Sequence, residues 1–272
     1  MANITAADVN KLRKQTGAGM MDCKKALVEA NGDFEAAIDV LRKQGQKVAA
    51  KRADRDAVEG AVIAKTNGSN KGVIVKLSCE TDFVAKNDNF VALANELAEK
   101  ALEAGVTTAE EFNAVSFDGT ITVAEKLQEQ TGVIGEKIEV AEFATLEAPY
   151  VASYIHMGNK IATLVGLTAE AAEAGRDVAM QAAAMNPVAL NRDAVSQDII
   201  DRELEVGKDL ARQEGKPEEM LDKIALGRLN KFFKENTLVD QDFIKDNKQS
   251  VSQYLKSVQA DLTLTGFHRI SL

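Results

Sequence analysis

The patterning of this chain predicts an α+β fold, and three observations carry the prediction. Short amphipathic helical segments fill residues 1–45. Two units, each a pair of alternating strands followed by a helix, occupy the middle. A pair of helices broken at Gly215-Lys216-Pro217 comes next. Apolar residues recurring at i, i+3, i+4 and i+7 mark helices, and strict alternation marks half-buried strands.

Thr5 and Asp8 have the [ST]xx[DE] spacing of a capping box, with Val9 and Leu12 following on one face. Gly17-Ala18-Gly19 ends this helix. A second follows Asp22, with Ala26, Leu27 and Ala30 apolar, and stops at Asn31-Gly32. Asp33 caps a third, whose Phe34, Ala37, Ile38 and Leu41 share a face. Three such helices enclose only a small core. Residues 46–58 are charged and weakly patterned and read as a linker.

Ala61 to Lys65 reads as a strand, Asn67-Gly68-Ser69-Asn70 as a turn, and Val73, Val75, Leu77 and Cys79 as a second strand. Phe90, Leu93, Leu97 and Ala101 mark a helix ended by Gly105. The order recurs further on. Tyr150 to Ile155 is a strand, Met157-Gly158-Asn159 a turn, and Ile161, Thr163, Val165 and Leu167 alternate before a helix from Ala171 to Met185. This recurrence hints at duplication. Glu136 to Phe143 offers a third strand to one sheet.

From Ala194 the pattern becomes a helical hairpin. Val195, Ile199, Val206 and Leu210 form a narrow apolar seam, and Pro217 is placed to begin the return helix through Leu221, Ile224, Leu229 and Phe232-Phe233. So thin a stripe predicts a projecting arm. Val251 to Val258 is a last amphipathic segment.

Composition narrows the function classes. Over 272 residues the chain is 45% hydrophobic and 28% charged, with no Trp, as in a folded protein whose core is aliphatic. No run approaches the ~18 apolar residues of a membrane helix, and the first residues lack a secretory signal pattern. A cytoplasmic protein without a membrane partner is expected. Cys23 and Cys79 form no CxxC pair and suggest no metal framework. The net charge of −9 is uneven, since residues 1–55 carry 11 Lys+Arg against 7 Asp+Glu. An acidic body argues against a nucleic-acid channel.

Catalytic signatures are missing. Only His156 and His268 are available, and His156 falls in a predicted turn, where a solvated side chain is the plain reading. No GxSxG, HExxH or SxxK pattern is present, and Gly132 to Lys137 lacks the spacing of a phosphate-binding loop. No catalytic residue, cofactor or metal is expected. The segment from Glu80 to Asn87 stands out because it sets Phe83 among polar neighbours after a strand. Periodicity leaves two placements open for Phe83: tucked under its own loop, or exposed as an anchor for a partner.

Three motifs then point to one family. Thr16 through Leu27 (TGAGMMDCKKAL) resembles the N-terminal signature of elongation factor Ts, continued by Glu29-Ala30-Asn31-Gly32-Asp33. Thr81-Asp82-Phe83-Val84-Ala85-Lys86 is similar to its second signature. Tyr154-Ile155-His156-Met157-Gly158 resembles the hairpin of its second core subdomain, and the arm around Gly215-Lys216-Pro217 matches as well. The resemblance implies a ubiquitin-associated-like three-helix module at 1–45, a linker at 46–58 and two α/β subdomains with antiparallel sheets. These would span 59–146 and 147–193 with 234–272, with a coiled-coil arm at 194–233.

It also implies function: a non-enzymatic guanine-nucleotide exchange factor whose partner is GDP-bound elongation factor Tu. Met20, Met21 and Lys24 match positions that grip the partner. Thr81, Asp82, Phe83 and Val84 match the segment that disturbs its Mg2+ support, and His156 matches a weaker contact. The arm is left free to form a homodimer, to meet the partner or merely to project. Better-known members continue beyond the equivalent of Leu272 into a further helix, so that contact is not expected here. Three other readings stay open: DNA binding through the basic module, although Asp22 and Glu29 share the helix of Lys24 and Lys25, an adaptor for ubiquitin-like domains, and an enzyme of unknown type.

Overall fold

A computed structural model describes residues 4–272. The chain runs α1 (Ala6–Thr16), α2 (Met20–Glu29), α3 (Phe34–Arg52), β1 (Glu59–Thr66), β2 (Lys71–Cys79), α4 (Asp82–Ala85), α5 (Asp88–Ala104), α6 (Ala109–Ala114), α7 (Val123–Ile134) and β3 (Glu139–Glu147). It continues through β4 (Tyr150–Ile155), β5 (Ile161–Leu167), α8 (Ala172–Met185), α9 (Gln197–Gln213), α10 (Leu221–Asn236), β6 (Asp242–Phe243), β7 (Asp246–Ser250), α11 (Val251–Val258) and β8 (Leu264–Ser271). The α+β class read from the sequence is the class observed.

Two three-stranded antiparallel sheets form the centre, ordered β1-β2-β3 and β4-β5-β8. In each, the second strand of the local hairpin is central and a strand from further along the chain closes the far edge. One face of the first sheet, with Ile63, Val73, Val75 and Leu77, packs on Phe90, Leu97 and Ala101 of α5 and on Phe112. Its other face, with Val62, Ala64 and Ile74, packs on Val151, Ala162, Leu164 and Ile270 of the second sheet. The second sheet then turns Val165 and Leu167 toward Val178 and Ala182 of α8. The layers are therefore helix, sheet, sheet, helix.

This stacking changes the reading of β2 and β5. Both look half-buried in sequence, yet Gly72 to Val75 and Ala162 to Leu167 are buried without interruption. A strand covered on both faces has no solvent side on which to place polar residues. Gly72 lies where the sheets approach closely: a Cβ there would meet Leu164 and Val151 at 2.8 and 2.9 Å. Thr163, wholly buried, donates its hydroxyl to the Ala179 carbonyl at 2.7 Å. Gln181 is satisfied likewise, donating to Gln241 Oε1 and accepting from the Ile244 amide.

The N-terminal helices enclose Val9, Leu12, Cys23, Ala26, Leu27 and Ala37, with Val133 of α7 at the edge of that cluster. Both caps read from the sequence are formed: Thr5 and Asp8 make a reciprocal capping box, and Asp33 accepts from the Ala36 amide. The expected linker at 46–58 is half wrong, because α3 continues to Arg52. Residues 46–52 contain no helix breaker, and Lys51 and Arg52 suit the negative end of the helix dipole. The added length lays α3 across α7, where Gly45 and Gly132 meet so closely that a Cβ on Gly132 would lie 2.5 Å from the Gly45 Cα.

Residues 106–135, for which periodicity predicts no element, hold α6 and α7. Thr108/Glu111 and Thr122/Glu125 cap them as boxes, a signal that was readable. α9 and α10 lie together as a helical hairpin, but the seam differs from the one read from the sequence. Gly207 and Ala211 face Leu221, Ala225 and Leu229, whereas Val206 and Leu210 are 45% and 40% exposed. Small residues let the helices come together, with a Gly207 Cβ position only 3.2 Å from the Ala225 Cα. That rotates the larger neighbours outward. Pairs such as Lys208–Asp222 and Arg228–Glu214 lace the edges. Pro217 does not begin α10. It sits extended before a 3-10 turn, Glu218–Met220, and the α-helix starts at Leu221.

Because Gly132 has no room for a methyl group against a backbone atom, Gly132→Ala should lift α3 from α7. We expect it to destabilise the protein by about 1–3 kcal/mol, read as a lowered urea midpoint, while an exposed control such as Gly119→Ala at a positive φ reports backbone strain alone.

Candidate functional site

β2 ends at Cys79, and the chain must turn before α5 begins. Glu80 and Thr81 make the corner, and α4 is a single helical turn. Val84 and Ala85 point inward, packing against the first sheet's core. Asp82 is tied to Lys86 one turn on, with Nζ 2.6 Å from Oδ2. That hydrogen bond and the cation's attraction lower the Asp82 pKa and raise that of Lys86. With its neighbours engaged in these ways, Phe83 stands outward at 84% exposure. The structure thus decides between the two placements: Phe83 is not under its loop.

The corner is held by carboxylates from two directions. Glu136, in the connection between α7 and β3, accepts from the Glu80 amide (3.1 Å), the Thr81 amide (3.0 Å) and the Thr81 hydroxyl (2.6 Å). Glu80 in turn accepts from the Lys137 amide at 2.7 Å. Its two oxygens also lie 2.7 and 2.9 Å from Nη1 of Arg52, the last residue of α3. The Lys137 amide foremost, then the Arg52 guanidinium, hold the Glu80 carboxyl below its ordinary range. Cys79 beneath is pushed up to about 12, mainly by burial and then by the nearby Glu136 charge, so it is an inert thiol.

A second exposed tip is close by. In the β4–β5 turn Met157 is 89% exposed, and His156 is exposed beside it with Nδ1 3.2 Å from the Tyr154 hydroxyl. The Val62 amide donates to the Asn159 carbonyl at 2.7 Å, and Lys160 lies 3.7 Å from Glu59. Glu59 pairs across β1 and β2 with Cys79, which leads into the Phe83 corner. Both turns therefore sit at one end of the stacked sheets. His268 lies in β8 paired with Leu164 and is exposed as well, with partial desolvation by its surroundings lowering its pKa.

The remaining expected residues lie on α2. Met20, Met21 and Lys24 are all exposed, and Val28, 56% exposed, extends their face by another helical turn. Cys23, Ala26 and Leu27 point inward. α2 is thus amphipathic in an unusual sense, apolar toward its core and partly apolar toward water. Flexible, polarizable methionines suit a surface that another protein covers. Periodicity did not single out Val28, Arg52 or Glu136; Val28 follows Met20 and Lys24 at intervals of four, whereas the roles of Arg52 and Glu136 were unreadable without contacts. Among the described residues no group of three or more His, Cys, Asp or Glu is placed to hold a metal ion, and no helix is long and apolar enough to cross a membrane.

An exposed aromatic on a braced corner and an exposed apolar helix face are the main surface features, and sequence comparison supplies the family. The family description Elongation factor TS matches residues 80–272. Elongation factor Ts of Christiangramia forsetii is 64% identical over the full length of both chains, and that of Flavobacterium psychrophilum is 59% identical, again over both chains entire. Elongation factor Ts of Amoebophilus asiaticus is 51% identical over 98% of each.

The chain belongs to the elongation factor Ts family.

It is accordingly a factor of translation elongation, as the resemblance of its motifs implied. In this elongation factor the matched region begins at Glu80, at the braced corner itself.

The exposure of Phe83 has a direct consequence for stability. Phe83→Ala removes little buried area, so we expect its urea unfolding free energy to stay within about 0.5 kcal/mol of the native value. A loss of about 3 kcal/mol or more, the cost of emptying a core position, would contradict the outward placement.

Proposed function

We propose that this elongation factor binds GDP-bound elongation factor Tu and acts as its guanine-nucleotide exchange factor. The observation that carries the reading is the outward Phe83 on a corner braced by Glu80, Glu136 and Arg52. A large aromatic held in water at the tip of a fixed turn gains free energy when a partner's apolar groove receives it. Interface energy concentrates in such anchors.

In this mechanism the α2 face with Met20, Met21 and Lys24 grips the partner, and the corner from Thr81 to Val84 reaches the side of its Mg2+ ion. Phe83 wedges between structural elements there and displaces groups that support the metal. GDP phosphates rely on that cation for charge neutralisation, so weakening its support weakens the nucleotide. Asp82 is engaged by Lys86 at 2.6 Å in the free protein, a pair without net charge that ties together the turn carrying Phe83. His156 and Met157 supply a further contact from the second sheet. The division into a gripping module, two core subdomains and an arm belongs to this proposal, as does a cytoplasmic location.

No covalent bond changes, so the protein is not an enzyme in this reading. Linkage requires the effect to be mutual: whatever factor the protein takes from GDP affinity, bound GDP takes from the affinity for the protein. Rebinding of GTP then releases the factor for another round.

Stopped-flow release of a fluorescent GDP from elongation factor Tu tests this. The native chain should accelerate release in a saturable way. Phe83→Ala should cut the saturated rate by roughly tenfold or more, an effect worth about 1.4 kcal/mol on the barrier, with a smaller change in half-saturating concentration. Met20→Ala and Met21→Ala should do the opposite, raising the half-saturating concentration and sparing the saturated rate. Normal exchange by the Phe83 variant would sink the wedge mechanism.

A further inference from the structure

The arrangement of two carboxylates and one guanidinium behind Phe83 has no part in filling the core. Glu80 and Glu136 are partly exposed, and each spends its oxygens on backbone amides of the other's segment. This is a reciprocal exchange: the corner supplies a carboxylate to the Lys137 amide, and the α7–β3 connection supplies one to the amides of Glu80 and Thr81. Thr81 stands at the start of α4, yet its side chain accepts no capping bond from that helix. Its hydroxyl is turned back to Glu136 instead. The start of the turn is thus fixed to the body, while Val84 and Ala85 fix its end in the core.

We propose that Glu136 is a positioning residue for Phe83, and that the Arg52–Glu80 pair fastens the end of α3, and with it the N-terminal module, to the same corner. This deepens the exchange reading and rests on it. An aromatic on a corner held at both ends meets its groove with little ordering still to be done, and preorganisation of that kind raises the efficiency of a wedge. Arg52 gives the second half of the argument. It ends the helix that carries the gripping module, its side chain is 34% exposed and that of its partner Glu80 18%, a partly desolvated pair. A module that grips the partner through Met20 and Met21 therefore pulls on a helix tied to the base of the wedge.

Geometry, not charge, is what Glu136 supplies in this scheme. A glutamine has an oxygen for both amides and a terminal amide group beside the Thr81 hydroxyl, which can accept by rotating. Glu136→Gln should therefore rescue what Glu136→Ala loses. A residue that mattered only for global stability would not act through Phe83, and that difference is measurable.

The experiment is a mutant cycle read by release of fluorescent GDP from elongation factor Tu, using the full chain. Glu136→Ala should lower the saturated release rate by roughly tenfold with little change in half-saturating concentration, and Glu136→Gln should remain within about twofold of native. In the Phe83→Ala background the Glu136→Ala loss should vanish, because coupled residues are not additive. Arg52→Ala, a surface change that leaves the core untouched, should slow release about threefold, again only with Phe83 present. Equal losses with and without Phe83, or no loss at all, would overturn the proposal. Amide hydrogen exchange on the free protein supplies a readout independent of exchange activity. Glu136→Ala should speed exchange at Glu80 and Thr81 while leaving the β1–β2 pairing protected, and unchanged protection at the corner would also overturn it. If the native chain fails to accelerate GDP release, the exchange reading falls, and amide protection still decides whether Glu136 holds the corner.

Discussion

Everything in the molecule is arranged around the contact between two antiparallel sheets. Val62, Ala64 and Ile74 on one meet Val151, Ala162, Leu164 and Ile270 on the other, so the central strands β2 and β5 lose their solvent faces. Apolar burial on both sides is the largest favourable contribution available to strands of this length. It requires small residues where the sheets come nearest, hence Gly72 beneath Leu164 and Val151. Because the stack fixes β1 against the β4–β5 turn, it also fixes where the two exposed tips lie.

Rigidity at the corner comes from a different source. A turn at the end of a strand has few apolar groups to spend, and this one gives Val84 and Ala85 to the core while leaving Phe83 in water. Hydrogen bonds from backbone amides to the oxygens of Glu80 and Glu136 supply the remainder. Desolvation opposes them only weakly because Glu80 and Glu136 keep partial access to solvent. The outcome is an apolar side chain exposed at a fixed position.

The N-terminal module and the arm show two ways to attach a small element to such a core. The module's own cluster is small, and α3 compensates by running on to cross α7 at Gly45 and Gly132. The arm buries only a seam of Gly207, Ala211, Leu221, Ala225 and Leu229, and relies on ion pairs along its edges. Exposed pairs contribute little apiece. The α9–α10 pair thus buries little apolar area in its own seam, while α3 is anchored at α7 and, through Arg52, at the Phe83 corner.

Local chemistry made much of this legible in advance. The Thr5 and Asp33 caps, the hairpins at Asn67–Asn70 and Met157–Asn159, the face of α5 and the helical hairpin all follow from patterns a few residues long, and the structure has them as read. The motifs around Met20 and Phe83 sufficed to indicate the family. Errors fell where long-range contacts outweigh local pattern. Gly207 and Ala211 displaced the larger Val206 and Leu210 from the arm seam because close approach of two helices favours small side chains. Likewise α3 outran its expected end because α7 offered it a surface. By itself, then, the sequence determined the elements, their order and the family, all of which rest on neighbours in the chain. Only the tertiary structure decided that Phe83 faces water, that Glu136 and Arg52 brace it and that Met157 shares its end of the molecule, since each depends on groups that folding brings together from distant parts of the chain.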